Sequence, residues 1–162
     1  MSIVKNETYK DAIKKSYINL KKLSKGTLSP TFEFFDVNNN LVTLESLKGK
    51  LVYIDIWGTW CYPCIQEIPA LKEIEIEFRE KDIYFVSICI RDKKENFLNF
   101  VKEKNLSGIQ LFAPDIDIPF FKDYQLKTVP RYILIDKEGK IIDANSFKPS
   151  DPKLKEQILE YL

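Results

Sequence analysis

Histidine is absent from all 162 residues. That absence excludes Ser-His-Asp and Cys-His catalysis and removes histidine as a metal ligand. Proton transfer near neutral pH must therefore fall to a perturbed carboxyl, thiol, lysine or tyrosine. Methionine occurs once, as Met1, so no axial methionine is on offer to a haem. Cysteine is scarce: three of them allow at most one intramolecular bridge, which rules out a disulfide scaffold. An excess of charge is also missing. The formal net charge is +1, and no charge field marks a nucleic-acid binder. No apolar run approaches the roughly 20 residues that span a bilayer. The opening MSIVKNETYKDA has no signal-peptide hydrophobic region either. The expectation is a soluble chain with no direct membrane insertion, compatible with removal of an anchor or export signal from a longer precursor.

Hydrophobic residues make up 44% and charged residues 30%, a balance that argues for a folded globular domain. The length suits one such domain. Residues 1–26 differ from the rest, with seven lysines against only Glu7 and Asp11. There Tyr9, Ile13, Tyr17, Leu20 and Leu23 recur near helical spacing, which predicts an amphipathic helix serving as an extension or linker. Gly26 through Pro30 punctuate a boundary, so a single domain is expected over 27–162.

Within that domain TFEFFDV and LVTL read as a hairpin around Asn38-Asn39-Asn40. LVYIDIW and IYFVSICI have the composition of buried strands, the first interrupted by Asp55. Between them, residues 62–81 carry apolar side chains at 65, 68, 71, 74 and 78, one face of a helix, with Pro69 inside it as an expected kink. A helix is expected over 93–105, a short strand at 109–112 and a helical turn over 117–126. RYILID and KIIDANSF form a last hairpin around Lys137-Glu138-Gly139. Asp151 and Pro152 then open a C-terminal helix as cap and first residue. This order predicts an α/β fold, a central mixed sheet with helices on its faces.

Cys61 and Cys64 lie in WGTWCYPC, where a buried strand gives way to a helix. Free N–H groups and the positive end of the helix dipole stabilise a thiolate at Cys61. Cys64, almost one turn on, is placed to attack a mixed disulfide formed at Cys61. Pro63 costs little in a first turn and its fixed φ helps hold the sulfurs together. Structural zinc needs four ligands, and this chain has one cysteine pair and no histidine. A c-type haem site needs histidine at 65, which is Ile65. No metal site is therefore expected, and the pair reads as a working dithiol. Cys89, in IYFVSICI, reads as an inert core thiol. Two carboxyls are candidates for the proton traffic. Asp55, six residues before Cys61 in an apolar strand, has a raised pKa if the sheet buries it, and an ordinary one if strand alternation turns it to solvent. Glu67, three residues past Cys64, either faces that sulfur or stands in solvent.

With these residues the sequence resembles the thioredoxin superfamily, in particular its extracytoplasmic thiol:disulfide oxidoreductases of the TlpA and ResA type. The resemblance runs over roughly residues 27 to 162. It rests on WGTWCYPC, the following QEIP, the upstream LESLKGKLVYIDIW, and Thr128-Val129-Pro130 before a strand. It implies a thioredoxin-like domain with a strand–helix insertion around 107–126. Pro130 would match the family's cis-proline, with the Val129 backbone offered to substrate. Asp55 falls at the buried acidic position of thioredoxins and Glu67 at the active-site glutamate position of the ResA type, so either can serve Cys64.

The implied activity is exchange of disulfides with protein partners, with reduction of those partners as the expected direction. Cys61 would attack, Cys64 would resolve, and the mixed disulfide would lie against Trp60, Tyr62, Pro63, Val129 and Pro130. No cofactor is needed, because the Cys61–Cys64 disulfide itself carries the electrons. The expected partners are protein thiols and disulfides and an upstream electron donor, met by a monomer in the cell envelope or periplasm. A thiol peroxidase is disfavoured: the P-x-x-x-T-x-x-C pattern needs threonine three residues before the nucleophile, and Gly58 and Cys61 stand there instead. A binding module that uses its aromatic face without turnover is the alternative from another class.

Overall fold

The computed structural model describes residues 3–162, with the side chains of 3–6, 19 and 20 outside the description. In chain order the elements are α1 (Ile3–Lys22), β1 (Glu33–Asp36), β2 (Leu41–Thr43), β3 (Leu51–Trp57), α2 (Tyr62–Glu77), β4 (Ile83–Cys89), α3 (Lys94–Glu103), β5 (Ile109–Phe112), α4 (Pro119–Asp123), β6 (Arg131–Ile135), β7 (Ile141–Asp143) and α5 (Pro152–Tyr161). A 3-10 turn, Glu45–Leu47, joins β2 to β3.

The strands form one seven-stranded sheet in the order β2-β1-β5-β4-β3-β6-β7. β3, β4 and β5 run parallel, while β1, β2, β6 and β7 add antiparallel edges. The two hairpins close by the same device. Asp36 accepts from the backbone of Asn38 and Asn40, and Asp136 from that of Glu138 and Lys140. Asn39 and Gly139 take the positive φ that each turn requires.

Strand periodicity sorts the core. Val52, Ile54 and Ile56 of β3 join Val86, Ile88 and Ile90 on one face, against Phe120 and Phe121 of α4. Leu51 and Tyr53 point the other way, toward Leu71 and Ile74 of α2 and Leu154 and Ile158 of α5. Both faces of the central strands are covered, so alternation along β3 offers no route to solvent. Asp55 shares parity with Tyr53 and Trp57 and thus lies beneath α2.

Several boundaries differ from the sequence expectation: the first and last strands shorten to Glu33–Asp36 and Ile141–Asp143, and three helices end early. α2 ends at Glu77 because Phe78 turns inward, 2% exposed, and Arg79–Lys81 make the turn into β4. α3 stops at Glu103, and Asn105 at φ 48° carries the chain out of it. α4 is confined to Pro119–Asp123, with Gln125 at φ 50° beyond it. The N-terminal helix forms, yet Tyr9, Ile13, Tyr17 and Ile18 on it are exposed. The chain engages the domain from Leu23, which packs against the core. Residues 26–29 then pair with the strand β7 and its turn, through Gly26 N to Ile141 O, Ile141 N to Thr27 O and Ser29 N to Gly139 O.

Candidate active site

Cys61 caps α2: its backbone is extended, at φ −87° and ψ 93°, and its Sγ accepts from the Cys64 N–H at 3.3 Å. A sulfur in that position stands where the orphan amides of a helix start converge. Pro63 occupies the first turn, where its missing N–H leaves nothing unpaired. The two sulfurs are joined, with S–S 2.01 Å and Cα–Cα 5.3 Å. They are 3% and 5% exposed, whereas the flanking Trp60 and Tyr62 are 51% and 69% exposed. The disulfide is thus framed by an aromatic rim that stands out from the surface.

The peptide bond between Val129 and Pro130 is cis. Val129 packs on a cluster made of Trp57, Cys61, Cys64, Cys89 and Phe97, which brings this loop beside the disulfide. Phe100 of α3 closes the same cluster over Trp57, at 5.4 Å between ring centroids.

The loop before the disulfide is held by groups that sequence reasoning missed. Asp92, just past β4, accepts from the Thr59 N–H at 3.0 Å and from the Thr59 hydroxyl. It also accepts from Lys93 N and Asn96 Nδ2. Partial burial raises its pKa, but the bonds from Thr59, Asn96 and Lys93 outweigh that, and the net shift is downward. Trp60 Nε1 donates to Ile90 O at 3.3 Å, across Gly58. A Cβ at Gly58 would fall 2.5 Å from Trp60 Nε1 and 3.1 Å from Ile90 O, so the ring lies where a side chain would be. The signal for the loop lay in Gly58 between the two tryptophans; Asp92, three residues past β4, carried none.

The two candidate acids have different surroundings. Asp55 is only partly buried as a residue, but its Oδ1 is shut off from solvent and makes no hydrogen bond to a described residue. Burial first, then the charges of Glu75 and Glu67, push its pKa up to about 7. It lines a narrow cavity together with Cys64. Glu67 is engaged elsewhere. Its carboxylate accepts from Lys148 Nζ at 3.1 Å and from the Ser150 hydroxyl and N–H, both at 2.9 Å. Burial raises its pKa, but these bonds dominate and hold it below its ordinary value. Cys89 is fully buried, and burial followed by the charge of Asp92 pushes its thiol up to about 12. That thiol has no thiolate to offer at neutral pH. Among the described residues no three Cys, Asp or Glu side chains converge as a metal site needs, and no helix is long and apolar enough to cross a membrane.

Residues 24–160 match the family model described as Redoxin. The thiol-disulfide oxidoreductase ResA of Bacillus thuringiensis subsp. konkukian is 32% identical over 143 residues, covering 87% of this chain and 78% of the relative. A crystal structure from Bacteroides vulgatus, of a protein assigned as a thiol-disulfide oxidoreductase, superposes with a TM-score of 0.81 at 33% identity. It covers 87% of this chain and 99% of that one. A solution structure from the same organism with the same assignment gives a TM-score of 0.74 at 45% identity, covering 85% and 91%. A cysteine pair joined as a disulfide is consistent with these relatives' names. The chain belongs to the redoxin family, within the thioredoxin superfamily, as a ResA-like thiol-disulfide oxidoreductase.

Proposed function

We propose that the protein reduces disulfides in protein partners, with Cys61 as nucleophile, Cys64 as resolving thiol and Asp55 as the base that takes the Cys64 proton. Cys61 thiolate attacks the partner disulfide, forms a mixed disulfide and expels one partner thiolate. Cys64 gives its proton to Asp55, attacks Cys61 Sγ and expels the second partner thiolate, leaving the Cys61–Cys64 bond. An upstream donor then restores the dithiol. Trp60, Tyr62, Pro63 and the Val129–Pro130 loop form the docking face. Asp55 is preferred to Glu67 because it shares a cavity with Cys64, whereas both oxygens of Glu67 are bound to Ser150 and Lys148.

The observation that carries the reading is the joined sulfur pair at the start of α2, with Cys61 receiving the Cys64 amide. Charge supports this direction. Asp55 and Glu75 line the Cys64 cavity, with Lys72 the one lysine beside them among the described residues. Acidic surroundings withhold stabilisation from a thiolate, and strongly oxidising relatives owe their potential to a stabilised reduced form. Resemblance to the TlpA and ResA type supports work in the cell envelope, with the chain acting as a monomer that needs no cofactor beyond its disulfide.

A redox titration in defined thiol buffers, followed by tryptophan fluorescence with Cys64→Ala as control, tests this. The expected result is one two-electron transition near the thioredoxin value of about −270 mV. A midpoint near about −120 mV would reverse the proposed direction. Absence of any reversible transition would leave a binding module in its place.

A further inference from the structure

The proton that Asp55 takes from Cys64 has to leave while the docking face is covered by the partner. Behind the disulfide, on the flank of α2, runs the narrow cavity that Asp55 and Cys64 line with Trp57, Glu75, Ser107 and Gln110. Its free interior is about 10 Å³ for the centre of a water molecule, room for about one water. Three buried polar atoms of its lining make no hydrogen bond to a described residue: Asp55 Oδ1, Gln110 Oε1 and Trp57 Nε1. Buried polar atoms are ordinarily paired. Unpartnered acceptors and a donor on residues that line a space of this size suit a bridging water.

Glu75 stands at the outer end and is held there from two sides. Its carboxylate accepts from the Ser107 hydroxyl. Its Oε1 also lies over Gly108, where a Cβ would fall 2.8 Å from it. Gly108, at φ +69°, thus leaves the space that the carboxylate uses. Gln110 is oriented by the bond from its Nε2 to Ser107 O, at 2.6 Å, so one loop fixes both groups.

We infer that Glu75 is the outer station of a proton passage that connects Asp55 to solvent along the flank of α2, away from the docking face. This rests on Asp55 being the base for Cys64. The proton leaves Cys64 Sγ for the Asp55 carboxylate as the sulfur attacks Cys61. It then crosses by a bridging water to the Glu75 carboxylate and is released to bulk, which returns both carboxylates to their starting state. Burial raises the pKa of Glu75, opposed by its bond from Ser107 and by Lys72, so this carboxylate holds a proton more readily than an exposed one. The groups that face or bear on Asp55 are Cys64, Glu67, Lys72 and Glu75 of α2, Tyr53 of β3, Cys89 of β4 and Tyr132 of β6.

The test follows the mixed disulfide formed when the reduced protein meets oxidised glutathione, by acid quenching and intact-mass analysis. Its formation reports attack by Cys61 and its decay reports resolution by Cys64. In Glu75→Gln, formation serves as the internal reference and decay is expected to slow about threefold or more. Carboxylic-acid buffer should restore the rate in the variant and leave the wild type unchanged. Ser107→Ala, which frees the Glu75 carboxylate from its anchor, should slow decay in the same direction. A pH midpoint moved downward with the maximal rate intact and no buffer effect would mean that Glu75 acts on Asp55 by charge alone, and would overturn the passage. Asp55→Asn separates the two levels. If it decays as fast as wild type, the role of Asp55 fails and the passage with it. If it is slow while Glu75→Gln matches wild type, only the passage fails.

Discussion

A carboxyl placed under a helix between two aromatic residues is costly to ionise, and Asp55 shows where that cost falls. Its pKa rises from an ordinary 3.8 to about 7 in the folded chain. The native state therefore binds this proton more tightly than the unfolded state between those values. Its contribution to stability is fully present below about pH 4 and is lost as pH rises through about 7. A gap of this size corresponds to at most about 4 kcal/mol at pH 8. If Asp55 is the base proposed for Cys64, that lost stability is a trade common at active sites. Asp55→Asn keeps the shape without the charge. It should raise the melting temperature of the oxidised protein by roughly 5–10 °C at pH 8 and by little at pH 4. Thermal unfolding at several pH values checks this, and an equal gain at both ends would detach the effect from ionisation. Cys89 is the contrast at the same scale: buried beside the carboxylate of Asp92, its thiol is pushed up to about 12 and does not compete with Cys61.

The loop from Gly58 to Cys61 keeps its shape through β4 as much as through its own residues. β3 and β4 run parallel with Trp57 opposite Cys89, so the chain leaving one strand passes the chain leaving the other. Asp92 is 33 residues beyond Thr59 in sequence, yet it receives both the Thr59 amide and its hydroxyl. Asp92→Ala removes an ionised acceptor from four N–H and O–H donors and the Cys89 thiol, and hydrogen bonds to charged groups are worth about 1.5–3 kcal/mol each. We expect a net loss of about 2 kcal/mol in denaturant unfolding, since solvent reaches this site and partly replaces the bonds. Mixed-disulfide formation should slow as well, because Trp60 loses its fixed frame. Unchanged stability would show that Gly58 and the Trp60 to Ile90 bond hold the loop alone. This element also marks the limit of sequence reading. Cys61 and Cys64 stood out by type and spacing, which local chemistry governs, whereas Pro130 entered only through the family resemblance. Asp92, in RDKKEN, looks like any solvated charge until strand pairing puts it beside residue 59. Glu75, used by the inferred proton passage, is likewise one of several charges on a helix whose periodicity marks only its apolar face.

At the scale of the molecule, the α/β order, both hairpins and the two-sided burial of β3 and β4 were legible because strand and helix periodicities and turn residues are local signals. The strand order was not. Nothing in EFFD says that β1 lies between β2 and β5, since that contact depends on where the insertion after α3 brings Leu111 and Phe112. The N-terminal helix shows the opposite mismatch: a helical pattern on which Tyr9, Ile13, Tyr17 and Ile18 find no core. Tyr9, Ile13 and Tyr17 are 73%, 58% and 66% exposed, so their removal forfeits little burial. The chain from Leu23 is different. Leu23 packs on the core, residues 26–29 hydrogen-bond to β7 and its turn, and the Ser29 hydroxyl meets that of Tyr124 at 2.7 Å. These bonds also cover an edge strand that would otherwise be open to pairing. Deleting residues 1–22 should therefore shift the melting temperature by no more than about 2 °C and leave the redox midpoint unchanged. Deleting 1–29 should cost several degrees and promote self-association. Calorimetry and light scattering on the two truncations separate the segments. A large loss already at residue 22 would mean that the helix covers the domain through contacts of its own.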